Sequence, residues 1–404
     1  MKIAIFTDIY APWGSGGIAS SIKAQKEELE KLGHEVTIFC PGQNAHEKGV
    51  VNVPSHRFLK INKSTLAKRP TVVERFILAK YPRFYDFDVV HVHYEASCSL
   101  AGVRLARRFG VPLVQTIHGR EDQAIAINVP YPWKWLVATV LKRLHAHYLP
   151  HTTKVRRDEF QAPTRARAKM WQIVVNQANA ANLVITPSHH FVHKLEYYGV
   201  TRPMRVVSNG ISESLLVEEF TPRELRDGDV LKMVWNSRLS KEKRILPFLQ
   251  AVKMLKRPYI LYIYGDGNQL RKAQKYAKQH DLKVKFFGAC KREKIIARMQ
   301  EAHLSILASD NFDNQSMVLL EAEATGLPVF FCDPNMMEVV PANSYIISGG
   351  TEPAAMAIAL DNFPAERIAS MSKQMLKSRA EILQSKQVVR LLEAYAEIAR
   401  ARVE

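Results

Sequence analysis

Twice along this chain, short apolar runs alternate with longer stretches of helical periodicity, and that alternation restricts the fold to parallel sheets joined by crossover helices. The first series places strands at 3–6, 36–39, 89–92, 113–116 and 183–186, with helices such as 18–31 and 100–108 between them. The second restarts after a charged stretch at 213–229 and places strands at 232–236, 259–264, 284–287, 304–307 and 329–331. A final helical stretch covers about 365–402. The expected fold class is α/β, two Rossmann-like doubly wound parallel-sheet domains facing across a cleft. The expected domains are 1–212 and 213–380, with a C-terminal helix at 381–404 packing back toward the first. Sheets of this kind take ligands beyond the carboxyl ends of their strands, so motifs are weighed chiefly when they fall there.

Charge narrows the partners. The net charge is +18, and residues 1–205 carry 29 Lys or Arg against 15 Asp or Glu, leaving 28 against 24 for the rest. An acidic partner is therefore expected, with the basic surface in the first half. The 4 cysteines, Cys40, Cys98, Cys290 and Cys332, show neither zinc-site spacing nor disulfide density, which fits a reducing cytoplasm. The opening MKIAIFTDIY enters a strand at once, without a signal peptide's apolar core, and no apolar run reaches membrane-spanning length. The expectation is a cytoplasmic protein, peripheral at the inner face of the cell membrane.

Four places carry candidate chemistry. Gly14, Ser15, Gly16 and Gly17 lie between the first strand and its helix, a turn that reads equally as structural or as an anion cradle at a helix N-terminus. The spacing is not G-x-G-x-x-G and the second strand ends in Cys40-Pro41 without an acid, which argues against a nicotinamide enzyme. His118 closes the strand at 113–116, where a lone imidazole gains weight from its position. Arg238 and Lys243 follow the strand at 232–236 and suit a departing diphosphate, the bland reading being a solvated basic turn. Asp313 precedes a helical run that carries Glu321, a charge a buried helix normally avoids.

Together with Gly265-Asp266-Gly267 and Gly326-Leu327-Pro328-Val329, these motifs resemble the family 4 glycosyltransferases over nearly the whole chain. The resemblance implies a retaining hexosyltransferase of the GT-B fold, metal-independent and without a cofactor, its nucleotide-sugar donor being a substrate. It assigns His118, Arg238, Lys243 and Asp313 to catalysis. Donor contacts fall on Gly16, Gly17, Gly265, Ser316, Met317 and Glu321 besides Arg238 and Lys243, with Asp313 on the sugar hydroxyls, Glu321 on the ribose and Arg238 with Lys243 on the pyrophosphate. The family's usual glutamate is Asp313 here, and its Phe-Gly pair is replaced by Gln315-Ser316. Same-face attack through an oxocarbenium-like state is the expected mechanism.

The acceptor is read from residues 131–171, where Trp133, Trp135, Leu136, Val140, Leu141 and Leu144 stand among nine basic residues and two acids. This pattern reads as an amphipathic membrane-surface helix followed by a polybasic stretch, or as a core-facing helix with a solvated basic face. Gly17-Ile18-Ala19-Ser20-Ser21-Ile22-Lys23 and Asp313-Asn314-Gln315 also resemble bacterial diacylglycerol glucosyltransferases, which implies a lipid acceptor, an anionic membrane surface and UDP-glucose as donor. The alternatives are a polyprenyl-linked, teichoic or capsular, or soluble glycan acceptor, and a catalytically silent nucleotide-sugar binder. A nucleic-acid-binding protein would need aromatic and basic residues interleaved on an exposed face, and that pattern is absent from the sequence.

Overall fold

A computed structural model describes residues 1–10, 17–42, 47–61, 64–120, 122–123, 127, 129–130, 133–151, 153–158, 162–216 and 223–400. The side chains of 57–61 and of Ser64 are left aside. The chain divides into one compact unit formed by Met1–Asn209 with Gln384–Glu404, and a second formed by Gly210–Leu383.

The first unit is built on a seven-stranded sheet. Its strands are β1 (Lys2–Phe6), β2 (Glu35–Pro41), β3 (Val50–Val53), β6 (Val89–Val92), β7 (Leu113–Thr116), β8 (Leu183–Thr186) and β9 (Met204–Val206), in the order β3-β2-β1-β6-β7-β8-β9. Every neighbouring pair is parallel. A separate antiparallel hairpin joins β4 (Ser55–Ile61) to β5 (Ser64–Ala67). The central strands are buried along their length because both faces are covered, so they read as continuous apolar runs rather than alternating ones. One face packs the helix Ser97–Phe109, whose Gly102 lies so close to β1 that an added Cβ would stand 2.5 Å from Phe6 Cγ. Asp8, just past β1, holds that helix's start by accepting from the backbone N–H of Cys98 (2.9 Å) and Ser99 (3.1 Å). The other face is closed by the C-terminal helix Gln384–Arg400, whose Val388, Leu391, Ala394 and Tyr395 join Ile3, Ile5, Val36, Val89 and Val114 in one core.

The second unit carries a six-stranded parallel sheet: β10 (Leu231–Asn236), β11 (Tyr259–Tyr264), β12 (Val284–Gly288), β13 (Leu304–Leu307), β14 (Val329–Phe331) and β15 (Tyr345–Ile347). Its order is β12-β11-β10-β13-β14-β15, the 3-2-1-4-5-6 winding of dinucleotide-binding sheets. In both sheets the winding reverses beside the first strand, between β1 and β6 and between β10 and β13. Loops leaving those strands therefore flank the place where such sheets bind ligands.

Five strands lie outside the sequence expectation: β4 and β5 form the separate hairpin, and β3, β9 and β15 each lie at a sheet edge, where burial is incomplete and the apolar run is weak. The expected single helical stretch at 365–402 is two helices, Arg367–Ser378 and Gln384–Arg400. Between them the backbone N–H of Ile211 donates to Ile382 O (2.9 Å) and Ile211 bridges Leu383, which fixes the chain out of helix there.

Candidate functional site

The second unit brings most of the expected residues to its switch point. β10 ends at Asn236, and the following turn carries Arg238 and Lys243; β13 ends at Leu307 and leads through Ser309 and Asp313 to the helix Met317–Ala324. Lys243 and Asp313, 70 residues apart in sequence, form a nearly buried ion pair with Nζ 2.6 Å from Oδ1 and 2.9 Å from Oδ2. Ser309 Oγ donates to the same carboxylate, and the ammonium lies 5.3 Å from the centre of the Phe312 ring. The residue that the resemblance assigns to the pyrophosphate and the one it assigns to the sugar are thus paired with each other. A buried charge without a partner would be costly, and each of these two side chains supplies the other's partner. Arg238 is the exposed member of the basic pair, its Nη2 3.4 Å from Glu242 Oε1, while Ser240 Oγ donates to that same oxygen.

Glu321 sits one and a half turns into its helix and is buried. Burial pushes its carboxyl pKa up, while Arg292, with Nη2 2.6 Å from Oε1, and Asn236, whose amide donates to Oε2, pull it back. Neither pairing is legible in the sequence, since Asn236 ends β10 and Arg292 opens the helix Arg292–Glu301, and nothing in the spacing ties them to Glu321. Ser316 caps the helix with extended backbone, and Met317 follows as its first residue. The first N–H groups of any helix lack intrahelical acceptors, so this turn presents donors and a positive dipole end beside Asp313.

Gly265, expected among the donor contacts, occupies left-handed backbone (φ +136°), and an added Cβ would stand 2.1 Å from Ser237 O. Its recorded role is close packing: Ser237 N–H donates to Tyr264 O (3.2 Å) and Leu239 N–H to Asp266 O (3.0 Å), so the glycine lets β11's loop buttress the Arg238 turn.

In the first unit, Gly17 opens the helix Gly17–Lys31 as an exposed residue, whereas Gly14, Ser15 and Gly16 lie outside the described residues. His118, half-buried beyond β7, has Nε2 2.9 Å from Nδ1 of His93. Burial lowers the His118 pKa to about 4, so the imidazole is neutral at physiological pH and serves as a hydrogen-bonding group rather than a cation. Among the described residues, no group of three or more His, Cys, Asp or Glu is placed to hold a metal ion.

The helix Trp133–Tyr148 buries only Ala138 and His145. Its Trp133 (59% exposed), Trp135 (51%), Leu136 (44%), Val140 (46%), Leu141 (37%) and Leu144 (54%) are open. Ala138 packs on Ala166, Met170 and Ile173 of the helix Arg165–Ala178, and Lys169 stands 4.3 Å from the Trp135 ring centre. Arg167 is differently engaged: it joins Arg120 around the buried Asp122, with Nε 2.7 Å from Oδ2.

Two doubly wound parallel sheets, each in its own unit, are the fold of the GT-B class. Residues 15–215 match the sequence profile described as Glycosyltransferase Family 4, and residues 217–382 match that of Glycosyl transferases group 1. The chain belongs to glycosyltransferase family 4 and is a hexosyltransferase. It is 27% identical over 348 residues to an alpha-monoglucosyldiacylglycerol synthase of Streptococcus pneumoniae, covering 81% of this chain and 70% of that protein. Among solved structures it is similar to a sucrose-phosphate synthase from Thermosynechococcus elongatus, with TM-score 0.71, 15% identity and 99% of both chains covered. It is also similar to HepE of Anabaena in complex with UDP and glucose, with TM-score 0.69, 15% identity, and 98% of this chain and 100% of that one covered.

Proposed function

We propose that this enzyme transfers glucose from UDP-glucose to a membrane lipid such as diacylglycerol, with retention of configuration and without a metal ion or other cofactor. The observation that carries the acceptor reading is the helix Trp133–Tyr148, which leaves six large apolar side chains open beside Lys134, Lys142 and Arg143. A core-facing helix would bury that stripe; here the burial is limited to one alanine and one histidine. An apolar face edged by cations matches the chemistry of an anionic lipid surface, where each basic residue contributes on the order of 1 kcal/mol. The similarity to the alpha-monoglucosyldiacylglycerol synthase of Streptococcus pneumoniae supports both the sugar and the lipid. HepE, solved with UDP and glucose, supports the donor. Among the described residues no helix is long and apolar enough to cross a membrane, so contact would be with the surface.

In the proposed reaction Arg238, Lys243 and the N–H groups at Ser316 and Met317 stabilise the departing diphosphate. Asp313 holds the sugar and Glu321 the ribose. The test is transfer measured with UDP, GDP and ADP sugars on anionic and neutral vesicles. UDP-glucose with diacylglycerol in anionic vesicles should be the best pair; faster transfer to a soluble glycan would reject the lipid acceptor. Attraction by lysine and arginine is screened over roughly 10 Å at 0.1 M salt. Vesicle binding should therefore weaken as salt rises and fall sharply when Lys142, Arg143, Arg156 and Arg165 are changed together to glutamate. Arg167 is left in place because it is bound to Asp122.

The leaving-group chemistry makes a second expectation. With two cations and a helix N-terminus to take the diphosphate charge, activity should persist in excess chelator. Loss of activity with rescue by magnesium or manganese would reject the metal-free reading.

A further inference from the structure

We infer that His93 is a positioning residue that fixes the ring orientation and tautomer of His118, so that His118 meets the substrate with a protonated Nδ1. The inference rests on the resemblance's assignment of His118 to catalysis. His91 and His93 are two apart at the end of β6 and so share one face of the sheet. Their rings are 3.9 Å apart, and the rings of His93 and His118 lie edge to edge, centres 5.2 Å apart and planes within 20° of each other. His91 is fully engaged, with Nδ1 2.6 Å from the Tyr395 hydroxyl and Nε2 2.7 Å from Thr116 Oγ1. That leaves it as a fixed floor under His93. His93 is completely buried; its Nδ1 meets His118 Nε2 at 2.9 Å, and its Nε2 has no hydrogen-bond partner among the described residues.

Counting protons settles the direction. Burial and the neighbouring rings hold both imidazoles neutral at physiological pH, so one proton lies between Nδ1 of His93 and Nε2 of His118. If His118 supplied it, His93 would carry its own proton on Nε2, an orphaned N–H in the interior. If His93 supplies it, the orphan is a bare nitrogen acceptor, the more common kind of unpaired buried group. The second arrangement places the remaining His118 proton on Nδ1, where it can donate to a sugar hydroxyl or a phosphate oxygen.

Four readings test this: turnover of His118→Ala, His93→Phe and His93→Asn, the double variant His93→Phe with His118→Ala, melting of each, and nitrogen NMR of the wild-type histidines. Phenylalanine fills the buried site without a nitrogen, and kcat/KM of that variant should fall roughly 10- to 100-fold through misplacement of His118. Asparagine, whose amide nitrogen stands in for Nδ1, should recover part of that loss. The double variant should be no slower than His118→Ala alone. NMR should find His118 protonated on Nδ1 and bare at Nε2. Wild-type turnover in His118→Ala would overturn the reading of His118 itself. A slow His118→Ala beside a wild-type-rate His93→Phe, or NMR showing the opposite His118 tautomer, would overturn the positioning role. The NMR arm needs no variant to fold.

Discussion

Replacing Lys243 with alanine should lower kcat by roughly 10²- to 10³-fold in the protein that remains folded, because removing one preorganised charge from the proposed leaving-group site costs that much. The ammonium reaches the loop before the helix Met317–Ala324, 2.6 Å from Asp313, and has Phe312 beneath it. In the proposed reaction this ammonium meets the departing diphosphate. As the bond to the sugar breaks, negative charge grows on the phosphate, and an interaction that strengthens in the transition state appears in kcat more than in KM. Some stability is lost as well, because the nearly buried Asp313 carboxylate is left with the Ser309 hydroxyl alone. Glu321 requires a gentler substitution. Glu321→Ala would leave Arg292 and Asn236 facing a buried gap, mixing a stability loss with a catalytic one; Glu321→Gln keeps the volume and removes the charge. Steady-state kinetics of Lys243→Ala, with circular dichroism to follow folding, decide the matter. Near-wild-type kcat would remove Lys243 from the donor site.

The parts of this molecule legible in its sequence are those where local pattern and tertiary burial agree. β6, β7 and β8 are buried on both faces, which writes an unbroken apolar run, and the helices between them have the expected period. The break between Arg367–Ser378 and Gln384–Arg400 has no such sign, since neither glycine nor proline marks it and the backbone pairing with Ile211 creates it. At the site, residue types and loop positions are readable, but partnerships are not. Arg292, Asn236 and Ser309 reach the two carboxylates only because parallel strands bring their loops together, and sequence spacing carries no trace of that. The stripe on the helix Trp133–Tyr148 shows the complementary limit: periodicity reveals an apolar face but says nothing of what covers it.

The largest effect on stability is expected at Arg223, which neither motif nor periodicity singles out. Its guanidinium is buried, and burial lowers its pKa to about 10, still far enough above neutrality to keep it charged. Nε donates to Ala302 O (2.7 Å), Nη2 to Met299 O (2.8 Å) and Thr325 O (2.8 Å), and Nη1 to Gly326 O (2.5 Å) and Ser372 Oγ (3.3 Å). Two of those carbonyls end the helix Arg292–Glu301, and two follow the helix Met317–Ala324. Helix C-termini leave acceptors unpaired and carry partial negative charge, so one planar cation satisfies both ends at once. Those helices also bear Arg292 and Glu321, and the arginine therefore sets their spacing. Arg223→Leu would keep the apolar stem but take the donor from Ala302 O and Thr325 O, while Met299 O keeps the Ala302 N–H and Gly326 O keeps the Ser372 hydroxyl; each carbonyl left dry costs about 1–3 kcal/mol. Partial relaxation and water entry should bring the total to about 3–5 kcal/mol, a drop of roughly 10 °C in the melting of the Gly210–Leu383 unit. Arg223→Lys should recover little, because an ammonium cannot span two helix ends. Thermal denaturation of both variants checks this. A melting temperature within 2 °C or so of the parent for Arg223→Leu would show that the carbonyls find other donors and that the arginine does not hold the two helices together.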